Sequence, residues 1–466
     1  MNEIKIFNMA KLKIHLPVFI FCAIGAITLS SCKKMTDVGV PKNAIVSTSV
    51  FTDQPGAEAA IAGMYGGLYS ASNSSSTMPS YGAALSLLNG LLADELNYNG
   101  TAYDQYRTNG LVSNEVNVSD IWTDSYSAIY RANAIIQGVA GGSFATAYKN
   151  QATGEALFIR AFCHFYLVNL YGDVPLMTST TVQDNQSAPR AASSTVYTQI
   201  ISDLEQAASL LTETYPSGGN RTRVNKYAAT ALLARVYLYH GDYAKAEAAA
   251  SQVIATSTLY SLPSDLTTVF LTTSTEAIWD FDTSVFGYTF VGAQTVPNAN
   301  VIPNFIITPN LFTVFETNDK RKANWVNVSV GYNYPYKYHT KTKLNLEYDV
   351  VLRLAEQYLI RAEARVQQDN LSGSIDDINV IRNRAGLGNT PASIKGDIAA
   401  AIAQERRVEL FSEWGHRWMD LKRTGKVDSV ITATKPGMWQ TTDALYPIPS
   451  KERMNNVTLS QNPGYN

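Results

Sequence analysis

Cysteine and histidine are scarce in this chain of 466 residues, which has three of the former and five of the latter. Cys22 falls inside an N-terminal apolar run and Cys32 just behind it, so Cys163 stands alone in the rest of the chain and no internal disulfide can form there. Stability has to come from packing. The histidines, at positions 15, 164, 240, 339 and 416, show no metal-ligand spacing. C-x-x-C and H-E-x-x-H pairs, phosphate loops, G-x-S-x-G elbows and calcium loops are missing. Charge of one sign is also lacking: 37 basic against 39 acidic residues give a net charge of −2. Without a basic stripe or arginine-rich block, the footprint of a phosphate-backbone binder is absent. Nothing here calls for a metal, a cofactor or nucleic acid.

Long apolar runs are equally few. Residues 16–29 form a run of 14, short of the roughly 20 that cross a bilayer's hydrocarbon core. Lys5, Lys11 and Lys13 precede it and Leu29-Ser30-Ser31-Cys32 closes it. A cationic start, apolar middle and small-residue end make an export signal. The closing tetrapeptide reads as a lipobox, which predicts removal of residues 1–31 and a lipid on the thiol of Cys32. Each buried methylene contributes about 0.8 kcal/mol and two acyl chains suffice for durable anchoring, so the expectation is a protein anchored to a membrane and not spanning it. Residues 32–49 are polar and aperiodic, and read as a tether.

What is present is a large apolar fraction, 45% of residues, much of it at helical spacing. Residues 57–68, 81–92, 121–139, 151–171, 196–211, 225–240 and 243–254 carry small and apolar side chains three and four apart. Residues 151–171 have hardly any polar face and stop at Gly172-Asp173 with Pro175 behind. The Ala-rich pair 225–240 and 243–254, split by Gly241-Asp242, resembles one tetratricopeptide unit, although no strict 34-residue repeat is visible. From 259 to 348 the texture changes to Thr, Val, Asn, Pro and aromatics, with period-two alternation at 276–281 and 332–338. Helical patterns return at 349–366, 375–384 and 398–421. The fold class is therefore mainly α: an irregular helical-repeat scaffold with a loop-rich part and a few short strands. A single domain over 50–466 is expected, with a helical part to about 258, a loop and strand insert over 259–348 and C-terminal helices from 349.

Several segments resemble, in order, the SusD/RagB family of nutrient-binding outer-membrane lipoproteins of Bacteroidetes. They begin with Gly154-Glu155-Ala156-Leu157-Phe158-Ile159-Arg160-Ala161, run on through Leu170-Tyr171-Gly172-Asp173-Val174-Pro175, and continue with Leu352-Arg353-Leu354-Ala355-Glu356 and Ile381-Arg382-Asn383-Arg384-Ala385-Gly386. Glu405-Arg406-Arg407-Val408-Glu409-Leu410-Phe411 with Gly415-His416-Arg417-Trp418-Met419-Asp420-Leu421-Lys422-Arg423 follows, and the chain closes on Tyr446-Pro447-Ile448-Pro449 and Gln461-Asn462-Pro463-Gly464-Tyr465. The resemblance implies tetratricopeptide-like helix pairs cradling a less regular part, capture of glycan at the cell surface without catalysis, and a SusC-type TonB-dependent barrel as partner. Lys33-Lys34 follow the lipid cysteine where surface-displayed members often have acidic residues.

The charges between Glu405 and Arg423 read as ion pairs at helical spacing, with His416 a structural residue, and Trp122, Trp414 and Trp418 belong to the core. Binding sugar needs aromatic faces for the C–H side of a pyranose and polar groups for its hydroxyls. Two stretches offer that mixture. Residues 94–107 contain Asn97, Tyr98, Tyr103, Tyr106 and Arg107, and residues 282–304 contain Phe286, Tyr288 and Phe290. These eight are the candidate ligand-binding residues, while the tyrosines at 332, 334, 336 and 338 read as packing on one strand face. Two other functions stay open on sequence grounds: a helical-repeat lipoprotein that binds peptide or protein, and a surface glycosidase with a carboxylate pair.

Overall fold

Helices that bury apolar side chains on each other make up most of the fold, and several begin at a polar side chain that caps them. In the computed structural model, residues 50–69 and 78–466 are described; the expected signal, the lipidated Cys32 and the tether lie outside them. Helix α1 (Gln54–Leu68) begins at Asp53, whose carboxylate accepts the Gly56 N–H at 2.9 Å. Helix α2 (Val116–Gly141) is capped likewise by Glu115, which accepts from Val118. Helix α3 (Thr146–Tyr171) is buried almost all round from Ala152 onward and stops at Gly172, whose φ of +75° suits glycine. Helices α4 (Ser193–Leu210), α5 (Lys226–His240) and α6 (Tyr243–Ile254) follow. Helix α5, with buried Ala228, Ala229, Ala231 and Ala234, packs on α6, with buried Ala246, Ala249 and Ala250, and such small side chains let helices approach closely.

Each helix packs on the next: α1 on α2, α2 on α3, and so on to α6, which packs on α7 (Leu354–Gln367). Helices α8 (Leu371–Arg384) and α9 (Lys395–Glu409) then pack on α7 and on each other. Ion pairs join neighbouring elements of the stack: buried Arg160 to Asp203 at 2.6 Å and Arg235 to Glu356 at 2.6 Å, and partly buried Arg361 to Asp377 at 2.7 Å. The expected helical stack is thus present, and Phe51–Asn466 forms one compact unit.

Between α6 and α7 the chain leaves the stack and returns. Strand β1 (Leu96–Tyr98) pairs antiparallel with β3 (Phe305–Ile307), β2 (Ala277–Phe281) with β6 (Asp349–Arg353), and β4 (Val326–Ser329) with β5 (Tyr332–Pro335). The β2–β6 pair closes the excursion, so α7 starts directly behind β6 and lies against α6. Every residue of β2 is buried, where period-two alternation predicts one wet face. Trp279 explains this, since its ring meets Phe158 and Phe162 of α3 at 4.8 and 4.9 Å.

Three expected helices differ. Residues 349–353 are strand β6, and helix begins only at Leu354. The span 398–421 is broken: α9 ends at Glu409, Ser412, Trp414 and Gly415 take φ of +55°, +47° and +72°, and α10 (His416–Arg423) starts afresh before α11 (Val427–Thr434). The break turns Trp414 inward, where its indole N–H donates to the Val350 carbonyl at 2.7 Å. Residues 80–88 form an irregular wide-turned helix distorted at Gly82, where a Cβ would stand 2.6 Å from an Asp349 oxygen.

The charges expected to pair along their own helix mostly pair across the fold. Glu409 meets Arg353, Arg384 and Arg321, Glu413 meets Arg353 and Lys337, and Glu405 meets Arg321 and Arg382. Only Arg423 with Asp420 follows the three-residue spacing within this motif. His416 is buried, and burial together with Arg235 and Arg406 holds it neutral. At the C-terminus, the Asn462 amide donates to the carbonyls of Tyr171 and Tyr446, strapping the chain end to the end of α3.

Candidate functional site

The first candidate stretch hangs from a buried anchor. Asp94 is bonded by Arg417 at 2.7 Å and Arg407 at 2.6 Å, both from the motif around the α9–α10 break. Burial opposes its charge, but Arg417 and then Arg407 outweigh burial and hold the carboxyl below its usual range. Its neighbour Glu95 has the opposite fate: burial, reinforced by the Asp94 charge, pushes it up to about 8. Thr308 stitches the same base to β3, its N–H donating to the Glu95 carbonyl and its hydroxyl to that of Asp94.

From this base β1 runs outward beside β3 in the register Leu96 to Ile307, Asn97 to Ile306 and Tyr98 to Phe305. Leu96 points in, Asn97 is exposed and Tyr98 is half-buried. The Tyr98 ring is steadied edge-on by Tyr103 at 4.8 Å and Phe305 at 5.1 Å. Arg107, half-exposed, is held by Asp104 at 3.0 Å.

Tyr103 and Tyr106 need correction. Tyr106 is 1% exposed, its hydroxyl bonded to Glu115 and its ring against Tyr446. Tyr103 is 8% exposed and lies beneath Tyr98. Both rings are core, Tyr103 packed on Tyr98, Tyr106 and Phe305, and Tyr106 on Tyr446. Among the three tyrosines of this stretch, Tyr98 alone offers a ring to solvent.

The second stretch is a knot of rings. Phe286 and Phe290 lie 4.6 Å apart, with Tyr288 at 6.5 and 6.4 Å from them, and all three are half-buried. Thr289 caps the helix Phe290–Thr295, and the Phe290 N–H donates to the Tyr69 hydroxyl at 3.2 Å. Gly287, at φ of +81°, turns the chain so that its carbonyl accepts from Leu344 and Asn345. The two stretches meet through their backbones, where the Asn99 N–H donates to the Asn304 carbonyl at 2.8 Å. No ring pairing joins Tyr98 to Tyr288 among the described residues.

Sequence reasoning set aside residues that the structure brings to the same region. Strand β5 runs beside β3, and it leaves Tyr332 44% exposed while Tyr334 and Tyr338 are buried. Tyr336, half-exposed, stacks on His339 at 4.2 Å. Pro335 ends the strand, so the period-two pattern that put all four on one face fails beyond it. The arrangement can hold a flat, hydroxyl-bearing ligand: supported rings beside exposed amides, with the one guanidinium already neutralised.

Comparison with known proteins agrees with this architecture. Residues 47–238 match the SusD-like family described as starch-binding and associating with the outer membrane, and residues 311–465 match the SusD family. SusD-like protein P2 of Formosa agariphila is 26% identical over 94% of this chain and 98% of its own. Among solved structures, a SusD superfamily protein of Bacteroides vulgatus superposes with a TM-score of 0.79 at 22% identity, over 89% of this chain and all of that one. A laminarin-binding SusD-like protein superposes with a TM-score of 0.71 at 24% identity, with the same coverage. Two family matches, one over the first helical part and one from within the insert to the C-terminal end, and a relative spanning nearly the whole length place this chain in the SusD/RagB family.

Proposed function

We propose that this protein binds an oligo- or polysaccharide at the cell surface and passes it, uncleaved, to a SusC-type TonB-dependent transporter, with lipid on Cys32 anchoring it to the outer membrane. The observation that carries the glycan reading is Tyr98: a half-exposed ring, braced from behind by Tyr103 and Phe305, beside exposed Asn97. A braced ring loses little freedom when a sugar stacks on it, and amides supply both donors and acceptors for hydroxyls. Phe286, Tyr288 and Phe290 form a second platform in the same reading. The laminarin-binding neighbour makes β-glucan a sensible member of any test panel. Affinity electrophoresis through gels containing plant, host and microbial glycans tests the reading. Retardation by one class, weakened by Tyr98→Ala or Tyr288→Ala and without release of reducing ends, is expected. Retention of a peptide with no glycan retained would replace the reading with the peptide-binding one.

A further inference from the structure

A groove of about 610 Å³ lies away from both stretches, between α2, residues 175–186 and the helix Ser450–Asn455. Its long wall is one face of α2, on which Trp122, Tyr126 and Tyr130 follow at four-residue steps. Eight residues of helix separate the first from the last, about 12 Å at 1.5 Å per residue. Trp122 is buried and packed on Tyr126 and Tyr171, both at 5.1 Å. The Tyr126 hydroxyl is occupied by the Pro175 carbonyl at 2.8 Å. Tyr130 differs from both: it is 51% exposed and has neither ring nor hydrogen-bond partner among the described residues.

Across the groove stand Gln186, Glu452 and Asn455. Their side chains make no hydrogen bond or ion pair among the described residues, although Glu452 is half-buried and burial raises its carboxyl above the usual range. The groove's charges are one acid, Glu452, and one base, Arg131, whose guanidinium already donates to the Gly63 carbonyl. A phosphate or a cationic peptide would find no net counter-charge here. An exposed ring facing unpaired amides and a carboxyl matches an uncharged ligand with a flat C–H face and many hydroxyls.

We infer that this groove is a second glycan site, in which Tyr130 stacks on a sugar ring and Gln186, Glu452 and Asn455 bond its hydroxyls. It rests on the glycan-binding reading above and adds to it a second, independent point of contact on one chain. Two contacts on one polymer raise the effective concentration of the second once the first is made, so long chains would be held more firmly than short ones.

Hydroxyl-radical footprinting of the intact chain in mild detergent reads both sites at once, with laminarihexaose, maltohexaose, cellohexaose and xylohexaose as probes and radical dose read on an added free peptide. The expected result is that one hexasaccharide protects Tyr130 from oxidation, and that Gln186→Ala with Asn455→Ala abolishes this while Tyr98 or Tyr288 stays protected. Protection of Tyr98 or Tyr288 with Tyr130 unprotected overturns the groove and leaves the loop site standing. Protection of Tyr130 alone sustains the groove and overturns the loop site. Protection of Tyr130 that survives both substitutions also overturns the groove, and no protection by any probe overturns both sites.

Discussion

Tyr98 and Tyr106 occupy the same loop, and depth alone separates a ring available to ligand from a ring in the core. Tyr98→Ala is expected to weaken glycan binding by about tenfold or more, equivalent to about 1.4 kcal/mol, with little change in melting temperature. Tyr106→Ala empties a buried site and should cost about 3–5 kcal/mol of stability, so thermal unfolding of the two variants separates the roles. Nothing in the sequence distinguishes these rings, since both stand among Gly, Asn and Asp. The burial of Tyr106 depends on Glu115 and Tyr446, one nine residues away and one near the far end of the chain. Glu95 makes a pH-dependent prediction. A carboxyl raised in the fold favours the native state fully below its ordinary 4.5, and that contribution is lost as pH rises through about 8. Glu95→Gln has no proton to lose, so its melting temperature relative to the parent should climb between about pH 5 and pH 8.

At the level of elements, the site depends on groups that never touch ligand. Asp94 joins β1 to the α9–α10 break through Arg407 and Arg417. Asp94→Asn leaves two guanidinium groups without their counter-charge, which should cost about 3–5 kcal/mol at neutral pH. Because the Asp94 carboxyl is held below its usual range, its contribution is present above the unfolded value and fades as pH falls through the folded one. The gap between parent and variant in urea unfolding should therefore narrow in acid, and glycan affinity should drop in the variant as β1 loosens. Strong helical periodicity made α3, α5 and α6 readable, with Gly172 and Gly241 as stops. The break between α9 and α10 was not readable: no proline marks it, and it exists because Trp414 is drawn into the core beside Val350. Local pattern makes residues 349–353 the start of a helix, but pairing with β2, a tertiary effect, overrides it and makes them strand β6.

At the scale of the whole molecule, the described residues from Phe51 to Asn466 form a helical stack interrupted by one long excursion, whose two ends β2 and β6 close, and which supplies one of the two candidate stretches. The stack was legible because each helix carries its own apolar stripe, and the ordered motifs from Gly154 to Tyr465 tied it to one family. The packing partners of the excursion were not legible. Its strands are three to five residues long, and they are held by neighbours hundreds of residues away, as Phe305 is by Tyr98. The measurement that bears most directly on the account is isothermal calorimetry of the intact chain against plant, host and microbial glycans, with reducing ends assayed in the recovered cell contents. The account predicts saturable heat with one glycan class and no released ends. Absence of heat across the whole panel, or release of sugar that a single carboxylate substitution abolishes, would contradict it.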